Sequence, residues 1–433
     1  MTELALPTRD PGDVLDVLQY HLYGLEFYWS PLVPAGPVVF PAAELDTLGQ
    51  AAARLLGLLR EAAGRLGTDW RQRHEWLGLD ERMAELFDDS PFDDEYADTM
   101  ARPDVIWTRD GWRVIEFNVG SALGAQSYVH VLGRAWAELY GEPLARFRAA
   151  SDPLRARGSL LTRLYRDFGA DGPVLVIGLA EDIHLPTSRY YDVEVQQLAA
   201  AGFDAEYVEA ADVYADPERY GRRFAAGVQR IVTEDWLIAG HDLRPMARLR
   251  RAGCRVLAPQ SARVLNNKRL MAVLSEGREW LAPDDFGLVE RFLPWTRQVV
   301  AETVEFEDGK HFLPDLLARA RHRFVLKPAD QNGSRGVRLG HECAEPVWAD
   351  AVATALAAGT WIVQEYVRPE RVPVPLIDTA ARRRVTRQLP AIISPYLIDG
   401  RLAGGMVRFD IEDRDTAVHV SKRGIRLTSL AGW

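Results

Sequence analysis

Two arginine, carboxylate and amide pairs in one short stretch of this chain have the spacing that chemistry on phosphates requires. Arg102 and Asp104 stand two residues apart, and Glu116 and Asn118, twelve and fourteen residues beyond Asp104, repeat the spacing. On an extended strand, residues two apart project from the same face. The Arg-Asp-Gly at 109–111 between the pairs is a hairpin turn signal. Folded back, the two pairs bring together two carboxylates and an amide oxygen, hard donors that suit Mg²⁺ held jointly with phosphates. Arg102 on the same face can hold a terminal phosphate through two parallel hydrogen bonds. The polar outer face of an ordinary hairpin carries the same alternation.

Two more patterns lie in the second half. Lys327 ends the apolar run at 324–326 and leads into DQNGSRGV at 330–337. Backbone amides around Gly333, Ser334 and Gly336 can approach phosphate oxygens closely. The lysine precedes the glycines, so this is not a Walker A loop, and a surface hairpin loop reads the same way. The run WIVQEYV at 361–367 is an apolar strand ending in Gln364 and Glu365. With Tyr366 and Val367 after them, they offer acceptors and backbone groups to an adenine amino edge. By itself an acidic strand end carries little information.

These residues need elements to position them. Leu45, Leu48, Ala52, Leu55, Leu56 and Leu59 repeat at helical spacing, which predicts an amphipathic helix over 41–66. The acidic stretch at 88–98 resembles a metal cluster in composition but reads as a solvated loop. Strands are expected at 104–108 and 112–118. From residue 172 the pattern alternates: strand 173–179, helix 193–201, strand 205–208, strand 230–233, helix 245–252 and strand 255–258. This alternation predicts a parallel sheet with flanking helices over 155–260, without the GxGxxG turn of a dinucleotide site. Beyond it come helix 268–274, an extended run at 296–302, helix 313–321, strand 323–327, helix 348–358, strand 361–366 and strands around a turn at 398–401.

A chain of 433 residues calls for two or three packed subdomains. The 52 basic and 62 acidic residues give a net charge of -10, which disfavours nucleic-acid partners; the arginine clusters at 248–251 and 382–387 read as solvated faces. Cys254 and Cys343 stand far apart without CxxC partners, so neither a disulfide framework nor a thiolate metal site is expected. The acidic, proline-broken N-terminus is unlike a secretory signal, and no run of about 18 apolar residues is present to span a membrane. A cytoplasmic protein is expected.

In combination the patterns gain meaning. Lys-Pro, a glycine loop and Gln-Glu about 30 residues later resemble the nucleotide half of the ATP-grasp fold, and Glu-x-Asn on a strand resembles its Mg²⁺ half. The metal strand precedes the lysines, the order of the circularly permuted ATP-grasp group, which includes glutathionylspermidine synthetase-type C–N ligases. LNNKRL at 265–270 resembles that group's NK-x-L signature, and YLIDGRLAGGMVR at 396–408 its late strand pair. The resemblance implies an α/β (α+β) fold, a circularly permuted ATP-grasp with a parallel-sheet pre-ATP-grasp subdomain. Residues 1–150 would hold a helical segment and the Mg²⁺ part, 151–262 the parallel subdomain, and 263–433 the nucleotide-binding part with its lid.

Carried over residue by residue, the resemblance gives Lys268 and Lys327 to ATP and Glu365 to the adenine amino group, with Tyr366 and Val367 supplying backbone contacts. It gives Asp104, Glu116 and Asn118 to Mg²⁺, Arg102 and Arg408 to the γ-phosphate, and the loop 330–337 to a closing lid. The implied activity is a carboxylate–amine ligase working through an acylphosphate in small-molecule or peptide biosynthesis. Its partners would be a small carboxylate and an amine (amino acid, peptide or polyamine), with a homodimer as the candidate assembly. A phosphotransferase acting on a hydroxyl and a non-catalytic nucleotide-binding protein share the same ATP contacts. The sequence departs from the family in leaving no room for an amidase domain and in the polar start of the lid, Asp330-Gln331-Asn332. For the acceptor, the loop 181–191 follows the first parallel strand at its carboxyl end, where ligands sit in such sheets. There Arg189 can pair with a carboxylate, and His184 or Tyr190 can orient an amine. GSALGAQ at 120–126, with Ser121 and Gln126, can cradle the acyl group. A polar surface loop and a glycine turn opening a helix are the plainer readings of these two segments.

Overall fold

The computed structural model describes residues 7–25, 31–87, 90–145, 152–179, 189–414 and 424–433. Its strands form three main sheets and one small hairpin. The first sheet is parallel, in the order Ala205–Glu209, Val174–Gly178, Ala226–Gln229, Arg255–Leu257. Helices Pro153–Phe168, Arg189–Ala200 and Arg244–Arg251 accompany it. Every residue of Val174–Gly178 is buried, as in a strand covered on both faces.

One expected strand is displaced. The apolar run at 230–233 is not the third strand, which lies at Ala226–Gln229; Arg230 stands just past its carboxyl end. The reason is a close approach. A Cβ on Gly227 would lie 3.2 Å from Cys254 Sγ and 3.3 Å from Val256 Cγ2. Small residues of low strand propensity therefore occupy the place that neighbours crowd. Two other expectations shift less: the run at 296–302 is a strand only over Thr296–Gln298, and the helix expected from 348 begins at Glu345. The acidic stretch forms the helix Pro91–Tyr96, in which Asp93 is buried and paired with Arg250 at 3.2 Å. Residues 88 and 89 lie outside the described residues.

The second sheet is antiparallel, in the order Arg338–Leu339, Phe324–Pro328, Trp361–Glu365, Thr296–Gln298. Phe324 and Leu326 pack into a core with Leu316, Leu317 and Trp348. Strand alternation sends Val325 and Lys327 to the opposite face. A small hairpin, Thr303–Phe306 with Gly309–Phe312, lies beside it.

The third sheet joins distant parts of the chain. It runs Leu32–Pro34, Arg371–Asp378, Arg383–Ile398, Arg401–Asp410, Ile425–Gly432, Val38–Phe40. The hairpin Met100–Thr108/Gly111–Val119 joins it through Arg383–Ile398, with Ile393 opposite Val105 and Leu397 opposite Ala101. Asp399 and Gly400, at φ 53° and 69°, make the tight turn expected at 398–401. The helix Ala42–Leu66 covers this sheet with Leu45, Leu48, Leu55, Leu56 and Leu59, in one core with Val105, Phe117, Ile393 and Val407. Among the described residues no helix is long and apolar enough to cross a membrane.

Leu55 is fully buried in that contact. Leu55→Ala should lower the unfolding free energy by about 2–5 kcal/mol, read from the denaturant midpoint at an unchanged slope.

Candidate active site

The hairpin register sets Asp104 opposite Glu116 and Arg102 opposite Asn118. The register then shifts, because Val105 pairs with Val114 and leaves Ile115 as the extra residue of a bulge. Bulges break the ladder and re-aim side chains, and this one has a use: the Ile115 carbonyl accepts a hydrogen bond from Lys327 Nζ at 2.9 Å. The irregularity thus ties the hairpin to the second sheet.

Asp104 is buried and surrounded by donors. Ser394 Oγ donates to its Oδ1 at 2.8 Å, Arg408 Nη2 lies 2.6 Å from its Oδ2, and Arg102 Nε lies 3.7 Å from Oδ1. Burial would raise this carboxyl, but the guanidinium charges of Arg408 and Arg102 outweigh it and hold the pKa below the usual range. Asn118 donates its amide N–H to the Arg102 carbonyl at 3.1 Å. Lys268 Nζ lies 3.1 Å from Glu116 Oε1 and donates to the Gln331 carbonyl at 2.7 Å. Lys327 Nζ also donates to Gln364 Oε1 at 2.7 Å, and Gln364 donates in turn to Thr296 Oγ1 at 3.0 Å. Gln364 therefore holds the lysine from beneath. Burial pushes the Lys327 ammonium down to about 8; Glu116 opposes the shift and Lys268 adds to it.

The loop after Lys327 doubles back sharply. Gly333, Ser334 and Gly336 all have positive φ, and a Cβ on Gly336 would lie 2.6 Å from Pro328 Cγ. Asn266, one residue of the LNNKRL stretch to which no role was assigned, links three parts: its Oδ1 accepts the Val119 amide at 2.9 Å and its Nδ2 donates to Asn332 Oδ1 at 3.4 Å. Arg335 pairs with Asp235 on the parallel-sheet side. At the other end, Glu365 pairs with Arg323 at 3.1 Å, and the Glu365 and Tyr366 amides donate to the Trp295 and Arg323 carbonyls.

A cavity of about 150 Å³ lies among these groups, walled by Asp104, Glu116, Lys327, Ser334, Glu365 and Val367. Asn118, Gly333, Gln364 and Tyr366 also line it; Gly336 and Lys268 do not, Lys268 reaching it through Glu116. Its volume is below the about 300–1,000 Å³ usual for ligand pockets. A second cavity, about 930 Å³, meets the first at Arg102, Asn118, Gly333 and Arg408. Ser121 and Tyr190 line it. Ser121 Oγ donates to the Gln229 carbonyl at 2.6 Å, and Tyr190 Oη accepts from Arg230 Nη2 at 3.0 Å. Gln126 sits buried behind this wall, accepting from Arg157 at 3.0 Å and Arg230 at 3.4 Å. Arg189 is not in the wall and donates to the His21 carbonyl at 3.2 Å. His184 lies outside the described residues.

Arg230 is the residue that the sequence reading passed over. It donates to the Ser121 and Leu123 carbonyls at 2.8 and 2.9 Å, shaping the glycine turn. Beneath it, Glu194 is buried between Arg157 at 3.0 Å and Arg230 at 3.2 Å. Burial would raise Glu194, but the two guanidinium groups hold it below the usual carboxylate range. Its signal was positional: a charged residue directly after a parallel strand's carboxyl end, obscured by reading 230–233 as the strand itself. Among the described residues, no group of three or more His, Cys, Asp or Glu side chains is placed to hold a metal ion.

No family model matches the chain, and no curated protein matches it either. Among solved structures it is similar to a glutathione synthetase-like effector (GSS30) from Globodera pallida, with TM-score 0.56 and 13% identity over 98% of this chain and 95% of that one. A putative gamma-glutamylcysteine synthetase from Methylobacillus flagellatus KT is similar at TM-score 0.44 and 12% identity, over 89% of this chain and 87% of that one. The D-cycloserine synthetase DcsG is similar at TM-score 0.29 and 23% identity, over 45% of this chain and 60% of that one. The first similarity establishes a shared mixed α/β fold across nearly the whole of both chains.

The lowered Lys327 pKa makes stability depend on pH. Between about pH 8, the folded value, and 10.5, the ordinary lysine value, the unfolded chain holds a proton that the folded chain has released. Stability from this residue therefore rises with pH across that window. Denaturation at pH 7.5 and 10 should show the wild type gaining about 2 kcal/mol relative to Lys327→Met.

Proposed function

We propose that the chain is an ATP-dependent carboxylate–amine ligase whose ATP-grasp elements stand in circularly permuted order, acting in cytoplasmic small-molecule or peptide biosynthesis. One observation carries this reading. The carboxylates of an N-terminal hairpin and two lysines of the C-terminal half converge where a small cleft opens into a larger cavity. In this reading residues 1–150 and 263–433 supply the ATP-grasp parts, and 151–262 supply the substrate side.

Lys268 and Lys327 hold the α- and β-phosphates, the amides around Gly333, Ser334 and Gly336 cover them, and Arg102 and Arg408 take the γ-phosphate. Glu365, Tyr366 and Val367 bracket the adenine above Gln364. Asp104, Glu116 and Asn118 form the oxygen set for Mg²⁺. Two carboxylates on paired positions and one amide oxygen make an incomplete cage, which fits an ion that keeps waters and phosphate oxygens as its other ligands. Bound there, Mg²⁺ would neutralise charge on the triphosphate. Asp104 and Glu116 are already balanced by Arg408 and Lys268. With ATP bound, Arg408 and Lys268 would turn to phosphate, leaving Asp104 and Glu116 to hold Mg²⁺.

A substrate carboxylate attacks the γ-phosphorus, ADP leaves, and an acylphosphate forms; an amine then attacks the acyl carbon and releases phosphate. The chain's residues contribute position and electrostatic stabilisation, and the lid excludes water. The acid and the amine occupy the larger cavity beside Ser121 and Tyr190, with Gln126 and Arg230 supporting the wall.

ADP release measured with Mg²⁺ against pooled amino acids, dipeptides and polyamines tests the activity, with hydroxylamine added to trap the acylphosphate. An amide with free phosphate as product is expected; a stable phosphoester would make the protein a phosphotransferase instead. Lys327→Ala and Glu116→Ala should each lower turnover about a hundredfold or more with an unchanged circular dichroism spectrum, and near-normal turnover in either would sink the site assignment. Arg230→Gln should raise the KM of the acid or amine more than that of ATP, while Arg189→Ala should change neither.

A further inference from the structure

The larger cavity has an uneven charge balance. Among the described residues seven arginines line it, against one acid, Asp235. Six of the seven are ion-paired with protein carboxylates: Arg102 and Arg408 share Asp104, Arg230 shares Glu194 with Arg157, and Arg250, Arg263 and Arg335 pair with Asp93, Glu234 and Asp235. Arg426 is the exception. Among the described residues no carboxylate lies within ion-pair distance of it. Its Nη1 donates to the neighbouring Ile425 carbonyl at 2.7 Å, and its Nε is buried without a partner. Glu412 and Asp410, whose charges act on Arg426 from beyond ion-pair distance, pair with Arg414 at 3.1 and 2.6 Å; Asp413 pairs with Arg371, and Asp415 lies outside the described residues. Tyr128 lines the same cavity close enough to feel the Arg426 charge.

A guanidinium on a cavity wall without a carboxylate in ion-pair distance is suited to a planar anion. We propose that Arg426, with Tyr128 beside it, anchors a carboxylate that does not react, carried by an amino acid or short peptide bound in this cavity. The site resting on Arg102, Asn118, Gly333 and Arg408 at the junction is left to the reacting carboxylate. Leu25, Val33, Leu86, Met246 and Leu249 on the cavity wall take the apolar body of the same ligand. That this ligand is a substrate rests on the ligase reading; that an anion binds at Arg426 does not.

The test compares free acids with their carboxamides, glutamate against isoglutamine and glycine against glycinamide, together with C-terminal acids and amides of dipeptides. ADP release is measured with ATP and Mg²⁺, and direct binding by calorimetry with ADP and Mg²⁺. Wild type should prefer at least one free acid over its amide by about tenfold or more. Arg426→Gln should bring that ratio close to one, through KM, with the KM for ATP unchanged. Arg426→Lys, which keeps the charge but not the fork, should give an intermediate ratio, and it decides the matter if the glutamine variant does not fold. A ratio that persists in the variants, or a wild type indifferent to amidation, overturns the anchor. Free-acid binding lost in Arg426→Gln without ADP release from any acid would keep the anchor and remove the ligase reading. ADP release with an unchanged ratio would do the opposite.

Discussion

A carboxylate as deeply buried as Asp104 has to be balanced where it lies. Taking an ion out of water costs several kcal/mol, and only close charge with satisfied hydrogen bonds offsets that cost. Arg408, Ser394 and Arg102 supply both, from two strands of the C-terminal region and from the aspartate's own strand. This requirement fixes much else. Ser394 and Arg408 must be neighbours on adjoining strands, and the hairpin must pair with Arg383–Ile398 in one register. A slip of one residue would turn Asp104 into the leucine-rich core under the helix Ala42–Leu66.

The same logic governs the lysines. Lys327 is kept among acceptors (the Ile115 carbonyl and Gln364) rather than against a carboxylate of its own, and burial lowers its pKa. With a pKa of about 8 it still carries its proton at neutral pH, held by neutral acceptors. Lys268 ties Glu116 to Gln331 of the loop 330–337, and Asn266 ties that loop to the end of the strand Gly111–Val119. Both cavities therefore share a border whose polar groups hold one another in place.

Much of this was legible because local rules and tertiary demands agree. The turn at 109–111, the turn at 398–401 and the leucine spacing of 41–66 all depend on short-range stereochemistry or a single buried face. The parallel sheet was legible as an alternation, yet its third strand was misplaced because crowding at Gly227, not propensity, chooses the residues there. Long-range arrangement carried no local trace. The short strands at Leu32–Pro34 and Val38–Phe40, the bulge at Ile115 and the role of Gln364 as a lysine support are set by partners far along the chain. Arg230 was hidden for the same reason, as its function comes from the end of a strand whose register the sequence blurs. Arg189 has the chemistry of an anion binder but faces the His21 carbonyl, so residue type alone misdirected that expectation.

The interleaving of the two ends of the chain in one sheet has a consequence for how the protein is made. Val105 pairs with Ile393, so the hairpin that carries Asp104 and Glu116 leaves the ribosome long before the strand that completes it. At about 5–20 residues per second the interval is on the order of 15–60 s. Throughout that time the hairpin edge is open and Asp104 lacks Arg408. The parallel sheet, whose strands all lie between residues 174 and 257, can close in the meantime. Synthesis thus closes the parallel sheet first and the third sheet last, and the nascent chain has to shelter one unpaired strand edge between the two.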